Sequence, residues 1–303
     1  GEAIKHVFLF LSLAPEGLFW SPVAAVRSYG WGLMDELLPY EPSCGGPLAC
    51  GGERAVIVVM LGPAGCGKTS LTAAFGSYLE ELGQEVAYVN LDPGCESLPY
   101  EPDFDIRDYF TVSKIMRDEG LGPNGAMIRA SELMESHVDI ILKAIKGLEA
   151  DYTIVDTPGQ MEIFVLKPAG PKVVRALASV RPTVAVFIMD PTTADSFPSL
   201  VVAKLLALSV QLRLEVPTVL VLNKADLLTD TGLREALEDP EVLRAKVEED
   251  EGLISDVALT CLDVLRAFSQ ASRIVMVSAR EKKGLEALFD LVHEAFCTCG
   301  DLS

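Results

Sequence analysis

The sequence predicts an α/β fold with a mostly parallel, doubly wound sheet and helices on both of its faces. Six apolar runs rich in β-branched residues alternate with segments whose apolar residues follow helical spacing. The first run, residues 55–61, contains no polar residue, as expected for a parallel strand that is buried on both faces. A glycine-rich segment joins this run to the first predicted helix. A chain of 303 residues can hold one large domain of this kind.

The predicted elements follow one another from residue 55 onward. The predicted strands are 55–61, 85–91, 152–155, 183–189, 218–222 and 273–277. The predicted helices are 68–82, 131–148, 198–212, a pair within 231–268, and 284–296. The first helix illustrates the pattern, since Leu71, Ala74, Phe75 and Tyr78 recur at spacings that place them on one helical face.

Two parts of the chain fall outside this regular alternation. Residues 1–54 are rich in proline, glycine and aromatic residues, which predicts an N-terminal extension of unknown role before a domain at 55–303. A helical insertion is predicted at about 229–268. Residues 230–263 contain eleven acidic and three basic residues. We interpret them as a solvated helical face rather than a docking site for a basic partner.

The charge balance argues against binding through a broad basic surface. The chain has 25 Lys and Arg residues against 44 Asp and Glu, a net charge of −19. A field of this sign repels nucleic acids and anionic membranes, so we expect neither as a direct partner. A local anion site is still compatible with this charge, because backbone N–H groups at a helix N-terminus bind phosphate whatever the net charge.

The cysteine content indicates the cellular compartment, and the hydropathy indicates whether the chain spans a membrane. The seven cysteines are an odd number in a chain too long to need disulfide bonds, which favours a reducing, cytoplasmic compartment. The longest apolar stretch near the N-terminus, residues 7–11, is much shorter than the roughly 20 residues that span a bilayer. We therefore expect no transmembrane helix.

The glycine-rich segment from Gly62 to Thr69 matches the phosphate-binding pattern G-x-x-x-x-G-K-[ST]. It follows a predicted buried strand and precedes a predicted helix, which is the context of a P-loop. Its glycines let the backbone aim N–H groups at phosphate, Lys68 neutralises β- and γ-phosphate oxygens, and the Thr69 hydroxyl binds Mg²⁺. The sequence thus predicts a P-loop NTPase. The nucleotide-binding residues predicted here are Gly62, Pro63, Ala64, Gly65, Cys66, Gly67, Lys68, Thr69 and Ser70.

A second motif, at residues 153–162, is an apolar strand that ends in an acidic residue and continues into a glycine turn. Asp156 has the position of the acidic residue that supports Mg²⁺, directly or through water. The N–H of Gly159 can sense the γ-phosphate, and Gln160 or Glu162 can orient an attacking water. After a P-loop, this motif indicates a nucleotide-dependent switch.

A third motif, N-K-x-D, follows the predicted strand at 218–222 and indicates guanine. The carboxylate of Asp226 can accept hydrogen bonds from guanine N1–H and the exocyclic amine, whereas adenine has no matching donor pair. Lys224 can stack along the base, and Asn223 can brace the loop. Ser278 and Ala279 follow the last predicted strand, where a backbone N–H can contact guanine O6. GTP and GDP are therefore the expected ligands.

Further stretches narrow the family. Residues 90–100 read N-L-D-P-G-C-E-S-L-P-Y, residues 103–108 read D-F-D-I-R-D, and residues 122–124 read G-P-N. With these motifs in this order, residues 55–296 resemble the GPN-loop GTPases. The resemblance implies a homodimer in which the loop Gly122-Pro123-Asn124 of each subunit reaches the phosphate site of the other. It also implies a role in the assembly of a protein complex, with RNA polymerase as a client in some members.

On the residues alone, Pro123 predicts a stiff turn that holds the amide of Asn124 at a fixed point, with an ordinary solvent-exposed turn as the alternative. Position 63 is proline, so the additional P-loop lysine of some dimerising ATPases is absent from this sequence. By resemblance, Asn124 of the partner subunit is the candidate to act in its place.

The resemblance also supplies candidate catalytic residues. Asp92 follows a predicted strand, at the position where related dimerising P-loop ATPases carry a water-activating aspartate. Asp105 and Arg107 are the candidate functional pair in a charged loop, and helix capping with surface pairing is the alternative for them. Asp92, Asp105, Asn124, Gln160 and Glu162 form the predicted catalytic set.

The expected activity is hydrolysis of GTP to GDP and phosphate by a Mg²⁺-dependent, homodimeric switch. Two alternatives stay open on the sequence. One is a scaffold that nucleotide stabilises and that hydrolyses little GTP. The other is a P-loop kinase, which transfers the phosphoryl group to a hydroxyl.

Overall fold

The structure is a computed structural model that describes residues 55–191, 196–249, 252–268 and 274–296. The predicted N-terminal extension, residues 1–54, lies outside the described residues. So do four of the seven cysteines, Cys44, Cys50, Cys297 and Cys299.

The described residues contain a seven-stranded sheet in which every strand pairs in parallel. The strands are β1 (Val56–Leu61), β2 (Val86–Asn90), β3 (Phe104–Asp105), β4 (Tyr152–Asp156), β5 (Thr183–Met189), β6 (Thr218–Leu222) and β7 (Ile274–Met276). Their order across the sheet is β3-β2-β4-β1-β5-β6-β7. The predicted fold class, a parallel sheet wound in both directions from a central strand, is confirmed.

Eleven α-helices connect and flank these strands in the described part of the chain. They are α1 (Lys68–Glu81), α2 (Val112–Glu119), α3 (Pro123–Ser136), α4 (Val138–Lys146), α5 (Met161–Leu166), α6 (Ala169–Ala178), α7 (Phe197–Leu214), α8 (Thr231–Glu238), α9 (Pro240–Glu249), α10 (Leu253–Phe268) and α11 (Leu285–Phe296). Short 3₁₀ turns cover Ile106–Asp108 and Ala225–Leu227.

The central strand β1 divides the hydrophobic core into two layers. Ile57, Val59 and Leu61 pack into the layer beneath α3 to α10, whereas Val58 and Met60 pack into the layer beneath α1 and α11. All six residues of β1 are buried, because a parallel strand with helices on both faces has no solvent side. This burial explains the uninterrupted apolar run from which the strand was predicted.

One predicted helix is wrong and one strand was not predicted. The helix predicted at 131–148 is two helices, because α3 ends at Ser136 and α4 begins at Val138. His137 lies between them with φ −99° and ψ 9°, and its imidazole packs edge-on against Tyr109 and Phe110. The two-residue strand β3 was not predicted, since so short a run carries no periodicity.

The segment predicted as a helical insertion contains three helices rather than a pair. Helices α8, α9 and α10 lie between β6 and β7 in the chain. The break between α8 and α9 falls at Asp239, whose carboxylate accepts a hydrogen bond from the N–H of Glu241 at 2.8 Å. Pro240 then begins α9, a position at which the missing proline N–H costs no hydrogen bond.

Helix α7 has 18 residues and a mean hydropathy of 1.5, enough by length and composition alone to cross a membrane. Core helices of soluble proteins meet the same criterion. Leu200, Val201 and Ala207 of α7 are buried, and the helix packs against β5, β6 and the insertion helices. Packing within the fold accounts for these buried residues, whereas Val202, Leu206 and Leu212 of the same helix are exposed. The expectation of no transmembrane helix rested on residues 7–11, which lie outside the described residues.

Replacing Gly170 by alanine should destabilise the fold. A Cβ at Gly170 in α6 would overlap the backbone carbonyl of Phe164 in α5, and backbone cannot move aside as a flexible side chain can. We expect Gly170→Ala to lower the free energy of unfolding by about 1–3 kcal/mol in urea titrations. Gly147→Ala is the matched control, because its Cβ would meet nothing nearer than 3.4 Å. Equal stability of the two variants would contradict this packing.

Candidate functional site

The sequence motifs meet at one edge of the sheet, beyond the carboxyl ends of the central strands. The segment Gly62–Gly67 follows β1, Asp156 ends β4, and Asn223 follows β6. Ligands of doubly wound sheets bind at this edge, on either side of the strand where the winding direction reverses. That strand is β1 here.

The glycines of the P-loop are required by its close contacts. A Cβ at Gly62 would overlap the carbonyl oxygen of Ile188 in β5. Gly67 precedes α1 with φ 88°, a conformation that other residues adopt at a cost. Ala64, Gly65 and Ser70 are exposed at the mouth of the loop. The loop therefore leaves an open approach for phosphate at the N-terminus of a 14-residue helix.

Two side chains of the P-loop, those of Lys68 and Cys66, are buried. Lys68 is 6% exposed, and its ammonium donates hydrogen bonds to the carbonyls of Gly62 at 2.9 Å and Pro63 at 3.2 Å. Cys66 is buried, and burial raises the pKa of its thiol. A small, protonated side chain inside the loop agrees with a packing role for Cys66.

Asn223 ties the base-recognition motif to the P-loop. Its amide nitrogen donates hydrogen bonds to the carbonyls of Cys66 at 3.0 Å and Gly67 at 3.4 Å, and its oxygen accepts one from the N–H of Ala279 at 3.1 Å. The ammonium of Lys224 lies 2.6 Å from the carbonyl of Gly65. The predicted bracing role of Asn223 therefore corresponds to specific contacts.

Asp226 has the charge and the exposure that guanine recognition requires. Its carboxylate accepts a hydrogen bond of 2.5 Å from the hydroxyl of Ser278. This hydroxyl and the charges of Arg280 and Lys224 hold the pKa of Asp226 below its usual value. Ser278 thus positions an ionised, exposed carboxylate through its side chain, and the predicted contact of a backbone N–H with guanine O6 stays a prediction.

Asp156 and Thr69 form a site that fits Mg²⁺. Asp156 is 1% exposed, and its Oδ1 has no hydrogen-bond partner among the described residues. Burial raises the pKa of Asp156 to about 6, although the hydroxyls of Thr69 and Tyr100 and the charge of Lys68 oppose this shift. A buried carboxylate oxygen without a hydrogen-bond partner costs free energy unless a cation binds it. Hard oxygen donors such as these are the ligands that Mg²⁺ prefers.

Asp92 lies between the P-loop and the second motif. Its Oδ1 accepts a hydrogen bond of 2.8 Å from the N–H of Gly94. Burial raises the pKa of Asp92, while the amides of Gly94 and Gly159 and the charge of Lys68 lower it. These neighbours place the carboxylate beside both the γ-phosphate sensor and the phosphate-binding lysine, as the predicted water-activating role requires.

Asp105 and Arg107 support the loop that carries Asp92. The carboxylate of Asp105 pairs with the guanidinium of Arg107 at 2.5 Å and accepts a hydrogen bond from Asn90 at 2.9 Å. Although burial opposes ionisation, Arg107 and Asn90 hold the pKa of Asp105 below its usual value. The Arg107 guanidinium also donates to the carbonyl of Cys95 at 3.3 Å. These contacts agree with structural pairing, which was the alternative to a direct functional role.

Sequence reasoning assigned no role to Asn90 or Tyr100. The fully buried Asn90 accepts a hydrogen bond from the N–H of Asp92 at 3.0 Å and donates to Asp105, so it links the two aspartates. The hydroxyl of Tyr100 donates to Oδ2 of Asp156 at 3.0 Å. A polar residue at the end of an apolar strand was the available signal for Asn90. No local pattern singles out Tyr100.

The predicted turn at the G-P-N tripeptide is instead the start of a helix. Gly122 precedes α3, Pro123 is in its first turn, and Asn124 follows; all three are exposed. Proline suits this position because its φ is already helical and its missing N–H would have had no partner within the helix. The fixed position that was predicted for the amide of Asn124 stays a prediction.

Helix α3 packs against two loops of the phosphate site, the loop after β2 that carries Asp92 and the loop after β4 that contains Gly159. A cavity of about 10 Å³, room for about one water molecule, lies between them. It is lined by Pro93, Met127, Ala130, Ser131, Met134, Pro158, Ile163 and Phe164. Gln160 and Glu162 lie at the start of α5 beside this contact, with Gln160 partly buried and Glu162 exposed. Their catalytic roles stay predictions.

Comparisons with known proteins agree with this site. A family model described as a conserved hypothetical ATP-binding protein matches residues 60–298. GPN-loop GTPase PAB0955 of Pyrococcus abyssi is 39% identical over 253 residues, covering 82% of this chain and 100% of that protein. GPN-loop GTPase 1 of Dictyostelium discoideum is 30% identical over 244 residues, covering 79% of this chain and 61% of that protein.

One solved structure resembles the whole domain. The crystal structure of PAB0955, described as a GTPase in apo form from Pyrococcus abyssi, matches with a TM-score of 0.71 and 37% identity. The match covers 80% of this chain and 98% of that one. The family model's description names ATP, whereas these relatives are named GTPases. The pairing of Asp226 with Ser278 favours guanine.

Removing the charge of Asp105 should weaken the support of the Asp92 loop. We expect Asp105→Asn to lower the free energy of unfolding by about 1–3 kcal/mol at pH 7. Because the folded pKa is lowered, this stabilisation is present above the unfolded value near about 4 and is lost as pH falls through the folded value. Urea titrations at several pH values should therefore show the two proteins converge in acid. Glu119→Gln, at an exposed ion pair with Arg129, should change stability by at most about 1 kcal/mol.

Exchanging the Asp226 carboxylate for an amide should change base preference. An asparagine at this position cannot accept hydrogen bonds from both guanine N1–H and the exocyclic amine. Its NH₂ group can instead donate a hydrogen bond to the carbonyl that xanthine carries in place of that amine. We expect Asp226→Asn to bind GDP at least about tenfold more weakly and to gain affinity for xanthosine diphosphate. Equilibrium binding of GDP, xanthosine diphosphate and ADP measures this. Unchanged GDP affinity would contradict the assignment of Asp226.

Proposed function

Because this chain belongs to the GPN-loop GTPases, and so is a GTP-hydrolysing enzyme, we propose that it works as a Mg²⁺-dependent homodimeric switch. The observation that carries the proposal is the buried Asp156 carboxylate with an unpartnered Oδ1 beside Thr69. Such a carboxylate is suited to hold a cation, which would offset the negative charge of the phosphates.

In the proposed mechanism the chain mainly positions the nucleotide, the cation and the attacking water relative to one another. The P-loop amides and Lys68 hold the phosphates, and Thr69 and Asp156 would hold Mg²⁺, which would supply positive charge to offset that of the phosphates. Asp92 accepts a hydrogen bond from the attacking water. The water oxygen bonds to the γ-phosphorus as the bond to the β–γ bridging oxygen breaks, which yields GDP and phosphate. Gln160 and Glu162 lie next to Gly159, where they can orient that water.

The group that stabilises the transferring phosphoryl in this proposal is Asn124 of the partner subunit. Within one chain, Arg107 is engaged by Asp105, and position 63 is proline rather than lysine. Asn124 is exposed at the rigid start of α3, a helix packed on both loops of the phosphate site. An exposed amide in that place is suited to a neighbouring subunit.

The cellular role in this proposal follows the resemblance: a GTP-dependent step in the assembly of a protein complex, with an RNA polymerase as one class of client. A net charge of −19 favours a protein client over nucleic acid or an anionic membrane. The free thiols of Cys66, Cys95 and Cys261 fit a cytoplasmic location.

Complementation between two inactive variants tests the shared site. Lys68→Ala should abolish nucleotide binding, and Asn124→Ala should lower turnover by about 10²–10³-fold, the usual effect of losing one transition-state donor. In a mixture, a dimer of one subunit of each kind has one site with an intact P-loop and an intact partner amide. We expect the mixture to release phosphate from GTP faster than either variant alone.

Two outcomes would contradict the proposal. A mixture no faster than the sum of its parts, although mixed dimers form, would place Asn124 in its own subunit's site. Specific activity that is independent of wild-type concentration, measured with GTP and with ATP, would exclude activation by dimerisation. Tight GTP binding without phosphate release would instead support the scaffold alternative.

A further inference from the structure

Tyr100 contacts the buried carboxylate of the proposed Mg²⁺ site without belonging to any of the nucleotide-binding motifs. It lies in the segment between β2 and β3, and its hydroxyl donates a 3.0 Å hydrogen bond to Oδ2 of Asp156. The same carboxylate presents Oδ1 with no hydrogen-bond partner among the described residues. Tyr100 therefore hydrogen-bonds one oxygen of Asp156 and leaves the other without a hydrogen-bond partner in the described part of the chain.

A second tyrosine fixes the ring of Tyr100. The rings of Tyr88 and Tyr100 stack with centroids 5.0 Å apart and planes inclined by 18°. Tyr88 belongs to β2, and its own hydroxyl donates to Glu80 in α1 at 3.1 Å. A Cβ at Gly76 would overlap the Tyr88 ring, so the glycine lets this ring lie against α1. The sheet and α1 thus hold the stack.

We propose that Tyr100 is a positioning residue for the Mg²⁺ site, which it serves by holding Oδ2 of Asp156 so that Oδ1 is directed to the cation or to one of its waters. The inference rests on the proposed Mg²⁺-dependent function. Groups that hydrogen-bond a metal-binding carboxylate fix its orientation, and their loss commonly weakens metal binding by about 10–100-fold. Tyr100 also connects the loop after Asp92 to the metal site through a direct contact.

An opposite role would use the same contact. If the hydroxyl of Tyr100 had to leave Asp156 before a cation could bind, its removal would strengthen metal binding. The stack on Tyr88 argues for a fixed hydroxyl, because the ring would have to leave its partner in order to move away.

Mn²⁺ titration of the full-length protein with bound GDP, followed by electron paramagnetic resonance, distinguishes these roles. Tyr100→Phe keeps the stacked ring and removes the hydroxyl, and we expect it to bind Mn²⁺ about 10–100-fold more weakly than wild type. Tyr88→Phe is the matched control, because it removes the hydroxyl that bonds Glu80 and keeps the same stack. Its Mn²⁺ affinity should equal that of wild type.

A second measurement separates positioning from general damage. GDP affinity in EDTA should be the same for Tyr100→Phe and wild type, since the proposed effect acts through the cation. Mn²⁺ binding by Tyr100→Phe that is equal to or tighter than wild type would overturn the inference and leave the Mg²⁺ site intact. A wild-type protein that binds Mn²⁺ no better with GDP than without it would overturn the proposed Mg²⁺ site and this inference together.

Discussion

The phosphate site depends on side chains that satisfy the carbonyl groups of the P-loop. A loop can aim its N–H groups at a phosphate when its carbonyls face the other way, and buried carbonyls need donors. Here Asn223 donates to Cys66 and Gly67, and Lys224 donates to Gly65. The base-recognition motif therefore also shapes the phosphate cradle. In this fold, Asn223 and Lys224 of the guanine motif thus also support the phosphate-binding loop.

The phosphate site also depends on helix α3. The G-P-N tripeptide begins this helix, and the next two turns of the helix contact Pro93 and Pro158. One of these prolines follows Asp92, and the other lies between Asp156 and Gly159. A subunit that touches the start of α3 would thus press on the helix that supports both loops. Because packed interiors transmit displacement rather than absorb it, the proposed dimer contact would act on the geometry of both loops.

Much of this arrangement could be predicted from the sequence because its signals are local. Continuous apolar runs define parallel strands, and the motifs after β1, β4 and β6 have fixed spacing. Asn90, Asp105 and Tyr100 behave differently, since their partners lie 2 to 56 residues away and no spacing rule connects them. The prediction of a turn at G-P-N was wrong for another reason, because proline suits the start of a helix as well as a turn. The helix that follows is recognised from its packing in the fold rather than from its sequence.

The charges of the site bear on the proposed Mg²⁺ requirement. Lys224 is paired with Asp190 and Arg107 with Asp105, so their charges are largely compensated before a ligand arrives. Lys68 faces both Asp92 and Asp156. A triphosphate would bring further negative charge to two carboxylates and one ammonium, which is unfavourable in a partly buried site. In the proposed site, a divalent cation held by Asp156 would offset part of that charge. The acidity of the chain is unfavourable for phosphate over most of its surface, so the positive charge at this site would have to be local.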